Sequence, residues 1–200
     1  MLILASASLR RRELLRNAGI PFTVQPSEID ETLCAGESPV DCAERLAQEK
    51  ARAISARYPQ DFVLGADTVV VVEDALLGKP RDADDAARML RMLSRRVHKV
   101  ITGVCLICPT SAKNAQPPRT ENRELRTASE TTLVTMCALT DNEIRDYIAT
   151  GEPMDKAGAY AIQGIASRWI PRIEGDYSNV VGLPVALVYK MLRESAALSK

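Results

Sequence analysis

The sequence predicts an α/β fold: a mixed β-sheet with flanking helices, running as one continuous unit. Three observations predict it. Short runs rich in Leu, Ile and Val alternate along the chain with amphipathic segments of helical period. The longest apolar run, Phe62 to Val72, is rich in valine, as a central strand buried on both faces requires. The 200 residues, 46% of them hydrophobic, are enough for one domain or for two lobes sharing a core.

Each element has a local reason. Leu2-Ile3-Leu4 reads as a short buried strand, and Leu9 to Ala18 as a helix closed by Gly19 at its C′ position. Phe22-Thr23-Val24 suggests a second strand. Ser38-Pro39 is an N-cap followed by proline at N1, opening a helix to about Arg57. After the strand at 62–72, Asp82 caps a helix whose buried face is Ala86, Met89, Leu90 and Leu93. Val97 to Ile107 and Glu130 to Leu139 are two long β-like segments. Between them Pro109 to Ser129 holds Pro117-Pro118 and mixed charges but almost nothing apolar, too long for a hairpin loop. It is expected to be a flexible, disordered excursion, dispensable for chemistry, with Arg119, Arg123 and Arg126 solvated among Glu121 and Glu124. Thr140 and Glu143 form a capping box for a helix ending before Gly151. The tail is read as a short strand around Trp169-Ile170, a Gly/Asp/Asn turn region and a final helix from Pro184.

Composition excludes several classes. The 26 basic and 26 acidic residues balance, so any polyanion must be met by a local patch rather than by bulk charge. Aromatics are only 4% and no basic patch interleaves with them, against a nucleic-acid module. No apolar run approaches the roughly 20 residues of a membrane span. Met1 to Ser6 has no basic region before its apolar stretch, and no signal peptide is expected. Five cysteines without a secretion signal suggest reduced thiols, and Cys105 and Cys108 lie in an apolar run as core side chains rather than as a metal or redox motif. The only histidine, His98, excludes any site needing two imidazoles and is expected to be structural.

Other residues break their local pattern. Arg10-Arg11-Arg12 occupies the opening turn of a helix, where the macrodipole favours acidic residues. Ahead of it, Ala5-Ser6-Ala7-Ser8 offers hydroxyls and backbone N–H groups beside the guanidinium forks. Phosphate is a ligand that makes this consistent. Asp67 interrupts the valine run, where a carboxylate is unfavourable unless paired or metal-bound. Either a bulge puts it at a cleft, with Gly65 and Ala66 leaving room for a ligand, or it is buried against a cation. Lys50 shares the core-facing row Leu46, Lys50, Ile54, pointing either out to solvent or into a polar cavity. Glu28, Asp30 and Glu31 cluster after a strand; with Asp67 they could supply hard oxygen ligands to Mg²⁺ or Mn²⁺. Lys79 and Lys156 lie in turns beside Gly or Pro. Phosphate grips, clustered carboxylates and no His or Cys nucleophile suggest metal-assisted attack of water on a phosphate ester.

The segment Ser6-Ala7-Ser8-Leu9-Arg10-Arg11 resembles the S-x-S-x-R-R signature of the Maf family of nucleoside triphosphate pyrophosphatases. Further matching blocks follow in the family's order. They are Glu31, Gln48-Glu49-Lys50-Ala51, Gly65-Ala66-Asp67-Thr68, Gly78-Lys79-Pro80-Arg81-Asp82, Gly151 to Tyr160, Ile162-Gln163-Gly164, and Asn179-Val180-Val181-Gly182-Leu183-Pro184. The resemblance runs from Leu2 to about Leu192. It implies a mixed, elongated α/β sheet in two lobes around a central cleft, similar to inosine triphosphatases. It also implies Mg²⁺-dependent (or Mn²⁺-dependent) hydrolysis of a nucleoside triphosphate to the monophosphate and pyrophosphate. Asp67 matches the proposed proton acceptor, and Glu31 joins it at the metal. Ser6, Arg11, Lys50 and Lys79 match residues at or near the triphosphate, and Ser8 belongs to the same serine loop. Thr68, Arg10 and Gln163 match the branch acting on dTTP and UTP. Leu9 departs from the family's usual proline, which should alter loop stiffness rather than chemistry. The resemblance assigns no role to Arg12 or to the 109–129 excursion. A cytoplasmic protein is expected, binding neither nucleic acid nor membrane; the resemblance suggests a homodimer, and the sequence leaves oligomeric state open. The other readings are a pyrophosphatase for modified nucleotides and a nucleotide-binding regulator of septum formation.

Overall fold

A computed structural model describes residues 1–32, 34, 36–109 and 123–195. In chain order they form β1 (Leu2–Leu4), α1 (Leu9–Asn17), β2 (Thr23–Val24), α2 (Pro39–Ser55), β3 (Phe62–Val72), β4 (Ala75–Leu77) and α3 (Ala83–Leu93). There follow β5 (Val97–Ile107), β6 (Leu125–Thr135), α4 (Asp141–Ala149), β7 (Arg172–Glu174), α5 (Tyr177–Val181) and α6 (Val185–Glu194). Short 3₁₀ turns occupy Glu152–Asp155, Ala157–Ala159 and Ile165–Trp169. Ser8, Ser38, Asp82 and Thr140 cap their helices through side-chain oxygens, each contributing on the order of 1 kcal/mol. Gly19 takes φ +68° just past α1, the left-handed C′ geometry that glycine adopts without strain. Among the described residues no helix is long and apolar enough to cross a membrane.

The strands form one mixed seven-stranded sheet in the order β2-β1-β3-β5-β6-β7, with β4 paired to β3. β1 runs parallel to both β2 and β3, while β3–β4 and β6–β7 are antiparallel. The chain divides into two compact units. One takes in the described residues of Met1–Asp67, Thr102–Glu130 and Gly182–Lys200, the other Thr68–Ile101 and Thr131–Val181. In the first unit, strand alternation separates two cores. Leu2, Leu4, Leu64, Val104 and Leu106 pack with Leu15 of α1 and Val188 and Met191 of α6. Ile3, Val63, Cys105 and Ile107 pack with Ala47, Ala51 and Ile54 of α2. The second unit closes around Val70, Leu77, Met89, Leu90, Leu93, Val134, Ile144, Tyr147 and Trp169.

Some expectations fail. β6 spans Leu125–Thr135 rather than Glu130 to Leu139. Its first half, Leu125 to Glu130, is half-buried throughout, so no apolar alternation marks it. Arg123 is buried rather than solvated. Its guanidinium donates to the carbonyls of Cys108 (2.6 Å), Ser55 (2.9 Å), Tyr58 (3.3 Å) and Asp61 (2.5 Å). Backbone oxygens satisfy this cation, so charge pattern gives no warning of it. Burial draws its pKa below the ordinary arginine value. Residues 110–122, including Pro117-Pro118, lie outside the described residues. The strand expected at Trp169-Ile170 lies at Arg172–Glu174, after a 3₁₀ turn. The Gly/Asp/Asn region contains α5, and β4 adds a hairpin whose turn places Glu73 at φ +53°.

Candidate active site

The sheet's alternation builds the site. Val63, Gly65 and Asp67 share the face of β3 that meets α2. A Cβ at Gly65 would lie 2.1 Å from Ala47 O, and one at Gly103 on β5 2.3 Å from Ala43 O. The space at Gly65 is therefore filled by the backbone of α2 rather than left for a ligand. This close approach carries Lys50, one turn along from Ala47, onto the carboxylate of Asp67.

Lys50 Nζ lies 2.5 Å from Asp67 Oδ1 and 2.6 Å from Glu31 Oε1. β3 runs unbroken through Asp67, so of the two alternatives the strand carboxylate is buried against a cation. Lys50 and Asp67 are 7% and 8% exposed, whereas the Glu31 side chain is 41% exposed and forms the open side of the cluster. Two carboxylates thus offer hard oxygen donors around one ammonium. Among the described residues no group of three His, Cys, Asp or Glu side chains is placed to hold a metal ion by itself.

The serine loop and α1 lie beside this cluster. Ser8 caps α1, its Oγ accepting from Arg11 N at 3.4 Å. Ser6 Oγ accepts from Ser8 N at 3.2 Å and from an Arg11 terminal nitrogen at 3.2 Å. Arg11 Nε donates to Gly182 O at 2.8 Å. Gly182 adopts φ +126°, a backbone region closed to ordinary side chains, to present that carbonyl. The guanidinium is thereby bent inward from the start of α1. Burial pushes the pKa of Arg11 down and the charges of Asp67 and Glu31 act against that, while neighbouring Arg10 acts with it. Ser6, Arg11, Glu31, Lys50 and Asp67 therefore form one polar cluster in the first unit, with Arg10 half-buried alongside.

Three expected site residues belong to the second unit. Thr68 continues β3 and is half-buried, Lys79 is exposed in the turn after β4, and Gln163 is exposed between two 3₁₀ turns. The Gly182 carbonyl was missed by the sequence reading; its one signal is a glycine before Leu183-Pro184. His98 is structural as expected: 1% exposed, hydrogen-bonded through Nε2 to Tyr160 Oη at 2.7 Å, with burial lowering its pKa to about 4. Cys105 and Cys108 are core thiols, burial raising the first to about 11.

Comparison with known proteins agrees with the resemblance. A family model described as Maf-like protein matches residues 1–195. A protein named dTTP/UTP pyrophosphatase from Koribacter versatilis (strain Ellin345) is 56% identical over 197 residues, covering 98% of this chain and 95% of the relative. Proteins of the same name from Symbiobacterium thermophilum and Geobacillus sp. (strain WCH70) are each 50% identical. The first covers 96% of this chain and 93% of the relative, the second 92% of each.

Proposed function

Because this chain belongs to the Maf-like protein family, we propose that it is a nucleoside triphosphate pyrophosphatase acting on dTTP and UTP. Water attacks the α-phosphorus, the α–β anhydride bond breaks, and the monophosphate and pyrophosphate leave. The observation that carries this reading is the half-open cluster of Lys50 with Glu31 and Asp67, beside the buried guanidinium of Arg11. The names of the relatives support the pyrimidine substrates.

Arg11, held by Gly182 O and Ser6 Oγ, presents fixed donors to phosphate oxygens without loss of rotamer freedom on binding. Lys50 offers its ammonium to the same oxygens, in exchange for part of its pairing with the carboxylates. Asp67, once it shares that ammonium, accepts the proton of the attacking water. These cations lower the barrier because they meet charge that grows on the departing pyrophosphate. In this reading, and on the motif resemblance alone, Lys79 is a further triphosphate-binding residue and Thr68, Arg10 and Gln163 are residues that select the base.

The donor set fits a hard divalent cation. Mg²⁺ and Mn²⁺ prefer oxygen ligands, and Mg²⁺ commonly takes one or two carboxylates and completes its shell with substrate phosphate and water; Glu31 and Asp67 supply the carboxylates. When bound, such an ion screens phosphoryl charge and acidifies a coordinated water.

The test is a nucleotide panel with Mg²⁺, reading monophosphate, pyrophosphate and orthophosphate. Equal amounts of monophosphate and pyrophosphate from dTTP and UTP, and much less from purine triphosphates, are expected. Orthophosphate as the primary product, or tight binding without turnover, would contradict the reading.

A further inference from the structure

Gln163 sits on a loop that is tied at both ends to one pair of side chains. At its start, Ala161 N donates to Tyr147 Oη at 3.2 Å. At its end, Ile165 N donates to Glu152 Oε1 at 3.1 Å and Oε2 at 3.3 Å. Tyr147 Oη in turn donates to Glu152 Oε1 at 2.8 Å, so the hydroxyl is used as both donor and acceptor. Gly164 N donates to Ala161 O at 3.0 Å, closing the turn between the anchors. Tyr147 is fully buried on α4, whereas Gln163 is exposed. A rigid element thus holds an exposed side chain through two backbone amides.

Gly164 supports the same conclusion. Its φ of −107° and ψ of −152° are extended backbone, so no positive φ calls for a glycine there. Space does: a Cβ would lie 2.2 Å from Glu152 Oε1. The carboxylate occupies the place a side chain would take.

We propose that Tyr147 and Glu152 are positioning residues for base selection, clamping the loop so that Gln163 meets the nucleobase in one geometry. This rests on the function proposed above, in which Gln163 contacts the base. An amide discriminates between bases only if its oxygen and nitrogen are held in register, since each good polar contact is worth more when its geometry is fixed in advance.

The test measures kcat and KM for dTTP and GTP in wild type, Gln163→Ala, Glu152→Ala, Glu152→Gln and Gly164→Ala. The preference for dTTP over GTP, as a ratio of kcat/KM, should fall about tenfold in Gln163→Ala and by a similar factor in Glu152→Ala and Gly164→Ala. The loss should appear mainly in KM for dTTP. Glu152→Gln, which keeps an acceptor oxygen for Tyr147 and Ile165, should restore most of it. Amide hydrogen exchange at Ile165 should quicken in Glu152→Ala but not in Gln163→Ala. Gly164→Ala leaves both Glu152 and Gln163 in place, so it carries the test if Glu152→Ala fails to fold. If Gln163→Ala loses the preference while the clamp variants keep it, the clamp is overturned and the function stands. Wild-type protein that hydrolyses no triphosphate overturns both.

Discussion

At the residue scale, the cluster is an ammonium and a carboxylate that the core would reject singly. Removing one partner of a buried pair leaves the other uncompensated, so Lys50→Met should destabilise the protein by roughly 3 kcal/mol in denaturant titrations. Replacing both, as Lys50→Met with Asp67→Leu, should return most of that stability but no turnover, which separates the pair's chemical use from its structural one. Asp67→Asn keeps an acceptor for Lys50, which also retains Glu31, so it should fold normally while kcat drops about 100-fold or more. An Asn variant with near-normal turnover would refute the role of Asp67. His98 gives a second prediction, with a definite sign. Its pKa is about 4 when folded against an ordinary 6.5, so the unfolded chain takes up a proton first. Stability is fully present above pH 6.5 and declines as pH falls towards 4, by on the order of 3 kcal/mol from this residue. The difference between wild type and His98→Gln in urea midpoints across that range isolates it; parallel curves would show that His98 does not titrate this way. The anomaly of Lys50 and of Asp67 was legible in the sequence, because each breaks an apolar pattern. Their pairing was not, because it depends on how closely α2 approaches β3.

At the element scale, that approach is set by two glycines on adjacent strands. Gly65 and Gly103 remove the side chains that would otherwise hold α2 away, and α2 brings Lys50 with it. Gly65→Ala should therefore cost about 3 kcal/mol, at the upper end of overpacking penalties, and should depress turnover by separating Lys50 from Asp67. Gly78→Ala is the control, since a Cβ there meets nothing within 4 Å and stability should hardly move. Equal stability of the two variants would show that α2 yields easily. The helices were readable because their signals are local: Ser38-Pro39, Asp82 and the Thr140–Glu143 box each mark a start that the structure keeps. The first half of β6 was not, because its residues are half-buried on both faces and show no apolar alternation. Arg123 was misread for a related reason. Its hydrogen bonds tie the end of α2 to the Tyr58–Asp61 turn and to the end of β5 through carbonyls, an arrangement that charge pattern does not announce.

At the scale of the whole molecule, alternating apolar runs and capped helices were enough to give a mixed α/β sheet. Which residues make up each of the two units was not legible, since the first gathers three stretches of chain separated by the second. Three strands nevertheless contribute to both units: β3, β5 and β6 each change unit within a continuous extended run. Melting one unit alone would end β3 between Asp67 and Thr68, with Ala66 and Val69 buried on either side. That would cut a continuous strand at its buried centre and expose the side chains on either side of the break, a cost that opposes separate melting. Unfolding should therefore be a single transition, and the chain's one tryptophan makes this measurable. Trp169 is buried in the core of the second unit, while far-UV circular dichroism follows helices in both. Leu106→Ala in the first unit and Leu90→Ala in the second each empty a fully buried position and should lower stability by about 2–5 kcal/mol. In each variant the Trp169 fluorescence midpoint should fall together with the dichroism midpoint, whichever unit carries the cavity. A Leu106→Ala protein whose dichroism midpoint drops while Trp169 fluorescence holds its wild-type midpoint would show that the shared strands do not couple the two units.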